Sequence, residues 1–401
     1  MKKNLFLAGL LAMGLATFTA CSDDDNQKTI PEGIADVNFQ EDQTNVTREN
    51  LTNWVQYSVQ VANLLTKDAS DLNKYWSEDY NGEPYAEQFK NPGQGKTYAS
   101  YSNCVQQIIE GCADIANEVG TAKIGDPRDL WENGKYEDAV YAVESWYSFH
   151  SIQDYSNNIR SIRNAIYGSR DGQQAASSIA AYLQANNPSL YNSIVTKINT
   201  AINAIETLDD PLRSHLGSKK VPVAQDACAA LESALTNDLK PVMMAASEDD
   251  LKPIIVDYTD KVVLPTYAEL LAKNTELNTA IRTVANTAKA YKDGEKSVAN
   301  LNQAFRDAAA AWMAARTPWE TSEAFLFGPV ADKGLDPNMD SWPLDVDALK
   351  NKLASGNFDD MTWDGEFNED DETISAVQNV RGFHTLEFLL FYCGNPRTLS
   401  E

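Results

Sequence analysis

All-α, with helices packed as antiparallel bundles, is the class this sequence predicts. Apolar residues recur at i, i+3, i+4 over long windows, as Tyr101, Val105, Ile108, Ile109, Cys112, Ile115, Ala116 and Val119 do. Alternating strand patterns are scarce. The chain is 43% apolar, enough for real cores, and its 401 residues suffice for two domains.

In chain order, the first residues read as a sorting signal. Lys2 and Lys3 form a positive n-region, and the apolar run from Leu5 to Phe18 is too short to span a membrane. Phe18-Thr19-Ala20-Cys21 resembles a bacterial lipobox, cleaved before a cysteine that becomes lipidated, so Cys21 is the expected lipidation site. Ser22-Asp23-Asp24-Asp25 resembles the acidic export tag of surface lipoproteins in the Bacteroidetes, and Ser22 argues against retention at the inner membrane. The expectation is an outer-membrane lipoprotein exposed at the cell surface. Residues 1–20 are then signal peptide, and 21–46 a polar, acidic tether.

From Thr47 onward helical period prevails. Leu190, Ile194, Ile198, Ile202 and Ile205 keep it, as do Cys228, Leu231, Leu235, Leu239 and Val242, and later Leu301, Phe305, Ala308, Trp312 and Ala315. Residues 247–256 are charged and broken by Pro253, which suits a linker between helical domains at 47–246 and 257–401. Cys104 and Cys112 would sit about 12 Å apart on one helix, too far to bridge each other. With no CxxC, a thiolate metal site is not indicated. The net charge of −25 repels phosphate backbones, which argues against a nucleic-acid partner, and weakly attracts cations.

The stretch Arg381-Gly382-Phe383-His384-Thr385-Leu386-Glu387-Phe388-Leu389-Leu390-Phe391 organises the rest. It reads as a helix started or bent at Gly382. Being apolar on nearly every side, it should be buried. His384 and Glu387 then share a face, about 5–6 Å apart. A buried carboxylate must be paired, ligated or protonated, so Glu387 needs a partner. Both residues could ligate one ion. Alternatively they form a buried hydrogen bond that only holds helices together.

Further polar residues fall where a core is expected. Ile152, Ile159, Ile162 and Ile166 define a buried stripe, and extending it backwards at the helical period brings in Glu144, Ser148, Ser151 and Tyr155. Either that end of the helix is solvated, or a polar pocket enters the core. Thr317-Pro318-Trp319-Glu320 reads as a helix start, with Glu320 as the reciprocal partner of an N-cap threonine. Glu323 follows one turn later, and Arg316 closes the preceding helix as a possible counter-charge.

The chain has three histidines, His150, His215 and His384, so a three-histidine zinc site would consume them all. One histidine with carboxylates is easier to build, from His384 and Glu387 with Glu320, Glu323 or Glu144. Such oxygen-rich sets suit Fe, Mn or Mg, with Zn at lower preference. The pattern is not HExxH, so no glutamate between two histidines activates water. Asp336-Pro337-Asn338-Met339-Asp340 resembles part of a calcium loop but lacks the glycine after Asp340.

Gly382-x-His384-x-x-Glu387 also resembles the GxHxxE signature of the imelysin-like proteins, a family classed among metallopeptidases (M75) and linked to bacterial iron uptake. Ala315 through Pro329, including Ser322, is similar to the family's other landmark, and Trp342-Pro343-Leu344-Asp345 follows it as in the family. Val143-Glu144-Ser145-Trp146-Tyr147-Ser148, with Asp154 and Asn157-Asn158, resembles a landmark that the family carries in its second half. The two halves therefore look swapped, as in a circular permutant. The resemblance implies a site between the halves: His384 and Glu387 as metal ligands, with Arg316, Glu320, Ser322 and Glu323 on their side and Glu144 and Ser148 on the other. It implies Fe, or alternatively Zn, as the metal, and a metal ion or small iron-bearing ligand as partner. A metallopeptidase is the alternative activity, and a surface interaction protein with a purely structural polar cluster a third. A permuted chain further requires the residues near Thr47 and Arg397 to be neighbours.

Overall fold

The structure, a computed structural model, describes residues 44–399; the expected signal peptide, Cys21 and nearly all of the tether lie outside them. Three long helices carry much of the framework: Leu51–Ser77, Leu264–Lys292 and Val298–Glu320, the second packed against both others. Ser297 starts the last of them, its hydroxyl accepting from the Asn300 N–H while the Asn300 side chain returns to the Ser297 backbone. A further group comprises Tyr101–Glu118, Ser151–Tyr167, Pro188–Glu206 and Lys220–Ser233. Within it Ser151–Tyr167 packs on Pro188–Glu206 and Tyr101–Glu118, and also reaches Val298–Glu320. Strand is confined, among the described residues, to the two-residue pairing of Phe391–Tyr392 with Asn395–Pro396. The class is all-α, as the periodicity predicts.

The Gly382–Leu390 helix lies against Leu51–Ser77, Val298–Glu320 and the short Leu335–Asp340 helix, and all its residues are buried. Such an end leaves four carbonyls without intrahelical donors. Each finds one here: Glu387 O from the Phe391 N–H, Phe388 O from Arg397 Nε at 2.7 Å, Leu389 O from Trp54 Nε1 at 2.9 Å, and Leu390 O from the Arg397 N–H at 2.8 Å. Burial of this polar end therefore costs little, and the helix is held in register with Leu51–Ser77.

Local structure departs from expectation at three places. The stretch expected to be a linker is helix, Glu248–Tyr258: Ser247 accepts from the Asp250 N–H, and three acidic residues in the first turn favour the helix dipole. Pro253 is carried within it. Thr317 does not cap a new helix; Val298–Glu320 runs through Pro318 and ends two residues later, so Glu320 follows Arg316 by one turn and faces inward. Glu144 and Ser148 are not helical either, because Ser151–Tyr167 begins after the turn that holds them. Both are nevertheless buried.

Cys104, Cys112 and Cys228 are buried free thiols, and Cys393 is half-buried. No helix among the described residues is long and apolar enough to cross a membrane. The two described ends meet: Arg397 Nη1 donates to Thr44 O at 2.9 Å and to Asn45 Oδ1 at 3.0 Å.

Candidate functional site

His384 is wholly buried, and its two ring nitrogens face different groups. Nδ1 lies 3.0 Å from Glu387 Oε2. The other oxygen of Glu387 accepts from both the N–H and the hydroxyl of Ser148, each at 2.8 Å. Ser148 is presented by a turn whose Ser145 and Phe149 have φ of 54° and 63°. Left-handed backbone costs a residue with a Cβ about 1–2 kcal/mol, and such strain gathers where a side chain must be aimed.

His384 Nε2 points the other way, 3.1 Å from Asp340 Oδ1 and 3.4 Å from Glu144 Oε1, and makes no hydrogen bond. The Trp342 ring packs beside the imidazole, centroids 4.6 Å apart. The buried Arg316 guanidinium pairs with Glu144 at 3.0 Å and Asp154 at 3.2 Å, and also with Glu320 and Asp340. Lys123 reaches Glu144 Oε2 at 2.8 Å from a π-helical turn, Val119–Lys123, that extends the Tyr101–Glu118 helix. Asn158 donates to Glu320 at 2.5 Å and Trp319 Nε1 to Asp340 Oδ2 at 2.6 Å.

These contacts split the acids into two kinds. Burial would raise every one of them. For Glu144 it is overcome by Lys123, His384 and Arg316, which hold the carboxyl well below its ordinary range. For Asp340 it is overcome by Arg316 and His384. Burial wins at Glu320 and Glu323, pushing both well up, and takes Asp336 to about 7. Burial also disfavours the His384 cation, but Asp340, Glu144 and Glu387 outweigh it and raise the imidazole.

Two donor sets result. One ligand atom each from Glu144, Asp340 and His384 lie within 4.8 Å of one another, and the same holds for Glu320, Glu323 and Asp340. The first set mixes one imidazole with two carboxylates, which fits a first-row metal ion. The orphaned, fully buried Nε2 is the observation that supports the fit.

Of the residues singled out in the sequence, His384, Glu387, Arg316, Glu320, Glu144 and Ser148 are joined by direct contacts. Glu387, expected to face an ion beside His384, instead holds the ring from behind. Ser322 donates to Trp319 O at 2.6 Å, a local bond within the helix end. Asp340, Asp154 and Lys123 were not foreseen. Asp340 stood inside the stretch set aside as a failed calcium loop, three residues before Pro343 of the Trp342-Pro343-Leu344-Asp345 landmark; that proximity was the available signal. Asp154 lay within a quoted landmark, and nothing in the sequence marked Lys123.

A family model described as imelysin, peptidase M75, matches residues 34–239 and 263–399. The chain is similar to a crystal structure of an imelysin peptidase from Bacteroides ovatus, 46% identical, with a TM-score of 0.83, covering 89% of this chain and 99% of that one. It is also 31% identical over 187 residues to the iron-regulated protein A of Synechococcus elongatus, which is 46% of this chain and 40% of the relative, so the match spans well under half of that protein. With the family model covering both helical segments and the buried His384–Glu387 pair in place, the chain belongs to the imelysin family.

Proposed function

We propose that this chain binds a metal ion, iron in preference to zinc, or a small iron-bearing ligand, in iron uptake at the cell surface. It does so as an outer-membrane lipoprotein anchored through Cys21, with its two helical halves in permuted order and the site between them. The observation that carries the reading is the imidazole Nε2 of His384, buried without a hydrogen bond and facing Asp340 and Glu144. His384, Asp340 and Glu144 would hold the ion. Glu387 fixes the ring through Nδ1, and Ser148 fixes Glu387, an arrangement that orients a metal-binding histidine and raises its basicity. A relative whose name marks it as iron-regulated supports iron as the cargo.

Calorimetric titration with Fe2+ and Zn2+ tests this. His384→Ala weakens binding at least tenfold, about 1.4 kcal/mol. Glu387→Gln weakens it less, because the ring exchanges a charged acceptor for a neutral amide oxygen but keeps its place. A wild-type protein that binds neither ion, or variants that bind as it does, would exclude the reading.

A hydrolytic alternative draws on Glu320, which is buried, and Glu323, which is half-buried; both carboxyls sit well above their ordinary range beside a cation site, as a general acid or base does. The donor set nevertheless contains no HExxH arrangement. Incubation with a diverse peptide library and Zn2+ is expected to give no cleavage above a His384→Ala control. Cleavage abolished by that substitution and by chelator would promote the peptidase.

A further inference from the structure

We propose that Lys123 is a tethered competitor of the metal ion: its ammonium holds Glu144 until an ion enters, and then swings outward to Glu118. This rests on the metal-binding reading and names the cation that the ion displaces.

The local backbone puts Lys123 where such an exchange needs it. Lys123 closes the π-helical turn Val119–Lys123, in which the Ile124 N–H donates back to Val119 O at 3.1 Å. Residues five apart on a regular α-helix stand about 140° apart round the axis, so α-helical geometry would turn Lys123 away from Glu118. The wider π turn returns the two to one side, with Nζ 3.8 Å from Glu118 Oε1. The same Nζ lies 2.8 Å from Glu144 Oε2. The ammonium therefore stands between two carboxylates of opposite setting: the Glu144 side chain is 4% exposed and that of Glu118 53%. The other carboxylates facing it are Glu323 and Glu320.

Neither oxygen of Glu144 is uncommitted. Oε2 accepts from Lys123, and Oε1 from Arg316 Nη2 at 3.0 Å, while Oε1 also faces the orphaned His384 Nε2 at 3.4 Å. An ion bound by Glu144, Asp340 and His384 becomes a third cation around one carboxylate, and like charges at close range repel more strongly the less water lies between them. One of the three must yield. Arg316 is fixed: its guanidinium is wholly buried and pairs with four carboxylates. Lys123 is free to move, because its stem is flexible, its side chain is 10% exposed, and Glu118 lies on the solvent side.

The exchange also explains why a lysine is carried into the site. A buried carboxylate without a partner is costly, and the ammonium supplies one until an ion replaces it. Metal uptake is then a trade of one cation for another. Lys123 loosens the hold on the ion, which suits a protein that must pass its cargo on.

Amine acetylation with acetic anhydride, read residue by residue by mass spectrometry, tests the movement in the unmodified chain. The probe is whichever of Fe2+, kept anaerobic, and Zn2+ calorimetry shows to bind, and exposed Lys252 is the internal reference. Labelling of Lys123 relative to Lys252 is expected to rise several-fold when the protein is loaded. Lys123→Met, whose folding a thermal melt verifies, is expected to bind the ion about tenfold more tightly, because the repelling charge is gone. Glu118→Gln, an exposed change that removes the outward partner, is expected to bind it more weakly than the wild type. Lys123 labelling that stays constant or falls on loading overturns the proposal and leaves the metal-binding reading standing, as does a folded Lys123→Met protein that binds no more tightly than the wild type. If neither ion binds the wild type, both fall.

Discussion

Arg316→Met is expected to destabilise the fold by about 3–5 kcal/mol, the cost of leaving buried charges without their partner. The guanidinium is completely buried and pairs with four carboxylates, Glu144, Asp154, Glu320 and Asp340. Methionine fills similar volume and offers no donor. Arg316→Lys should recover part of the loss, since an ammonium keeps the charge but not the planar fork that reaches several acceptors. The deficit should also depend on pH. Glu144 and Asp340 are held below their ordinary range in the native protein, so they stabilise it above the unfolded carboxylate pKa, and that contribution fades as pH falls through the depressed values. Without Arg316, burial acts on them with less opposition, and the folded variant takes up protons that the unfolded chain does not. Its deficit therefore shrinks on acidification. Urea denaturation of wild type and variant at about pH 8 and about pH 5 measures this. A deficit that stays constant or grows toward acid would show that Arg316 acts through packing alone.

How far the sequence revealed this site depends on which physical signal each residue carried. His384 and Glu387 were legible because polar groups stand out in a helix that is otherwise apolar, and helical spacing puts them on one face. Glu144 and Ser148 were found by a wrong route: the helical stripe was extended into a turn, yet the turn delivers both side chains to the same place. Glu320 carried a misleading local signal. Thr317-Pro318 looks like a helix start, but packing of the Val298–Glu320 helix carries the chain through Pro318, and tertiary contact outweighs that preference. Asp340 and Lys123 depend on where short helical segments end relative to elements distant in sequence, which no local period encodes. The all-α class was legible because it needs only periodicity.

Gly382→Ala is expected to damage both stability and binding, and a second glycine separates the reasons. Gly382 has φ of 89°, and a Cβ there would lie 2.4 Å from Met339 O and 2.8 Å from Met339 C. The left-handed conformation alone costs about 1–2 kcal/mol for a residue with a Cβ, and forcing atoms into a filled core adds about 1–3 kcal/mol. Gly82 has φ of 103° with nothing within 4 Å of the added atom, so Gly82→Ala reports the conformational part by itself. Chemical denaturation should show Gly382→Ala losing clearly more than Gly82→Ala; equal losses would refute the close approach. The clash also has a direction. Met339 precedes Asp340, Gly382 begins the helix of His384, and the two side chains stand 3.1 Å apart. Relief of the clash must push the Leu335–Asp340 helix away from the Gly382–Leu390 helix, and so part Asp340 from the imidazole. Metal affinity should then fall in Gly382→Ala and stay unchanged in Gly82→Ala, even where both remain folded. Undiminished affinity in a folded Gly382→Ala protein would mean that Asp340 is not held in the donor set by this contact.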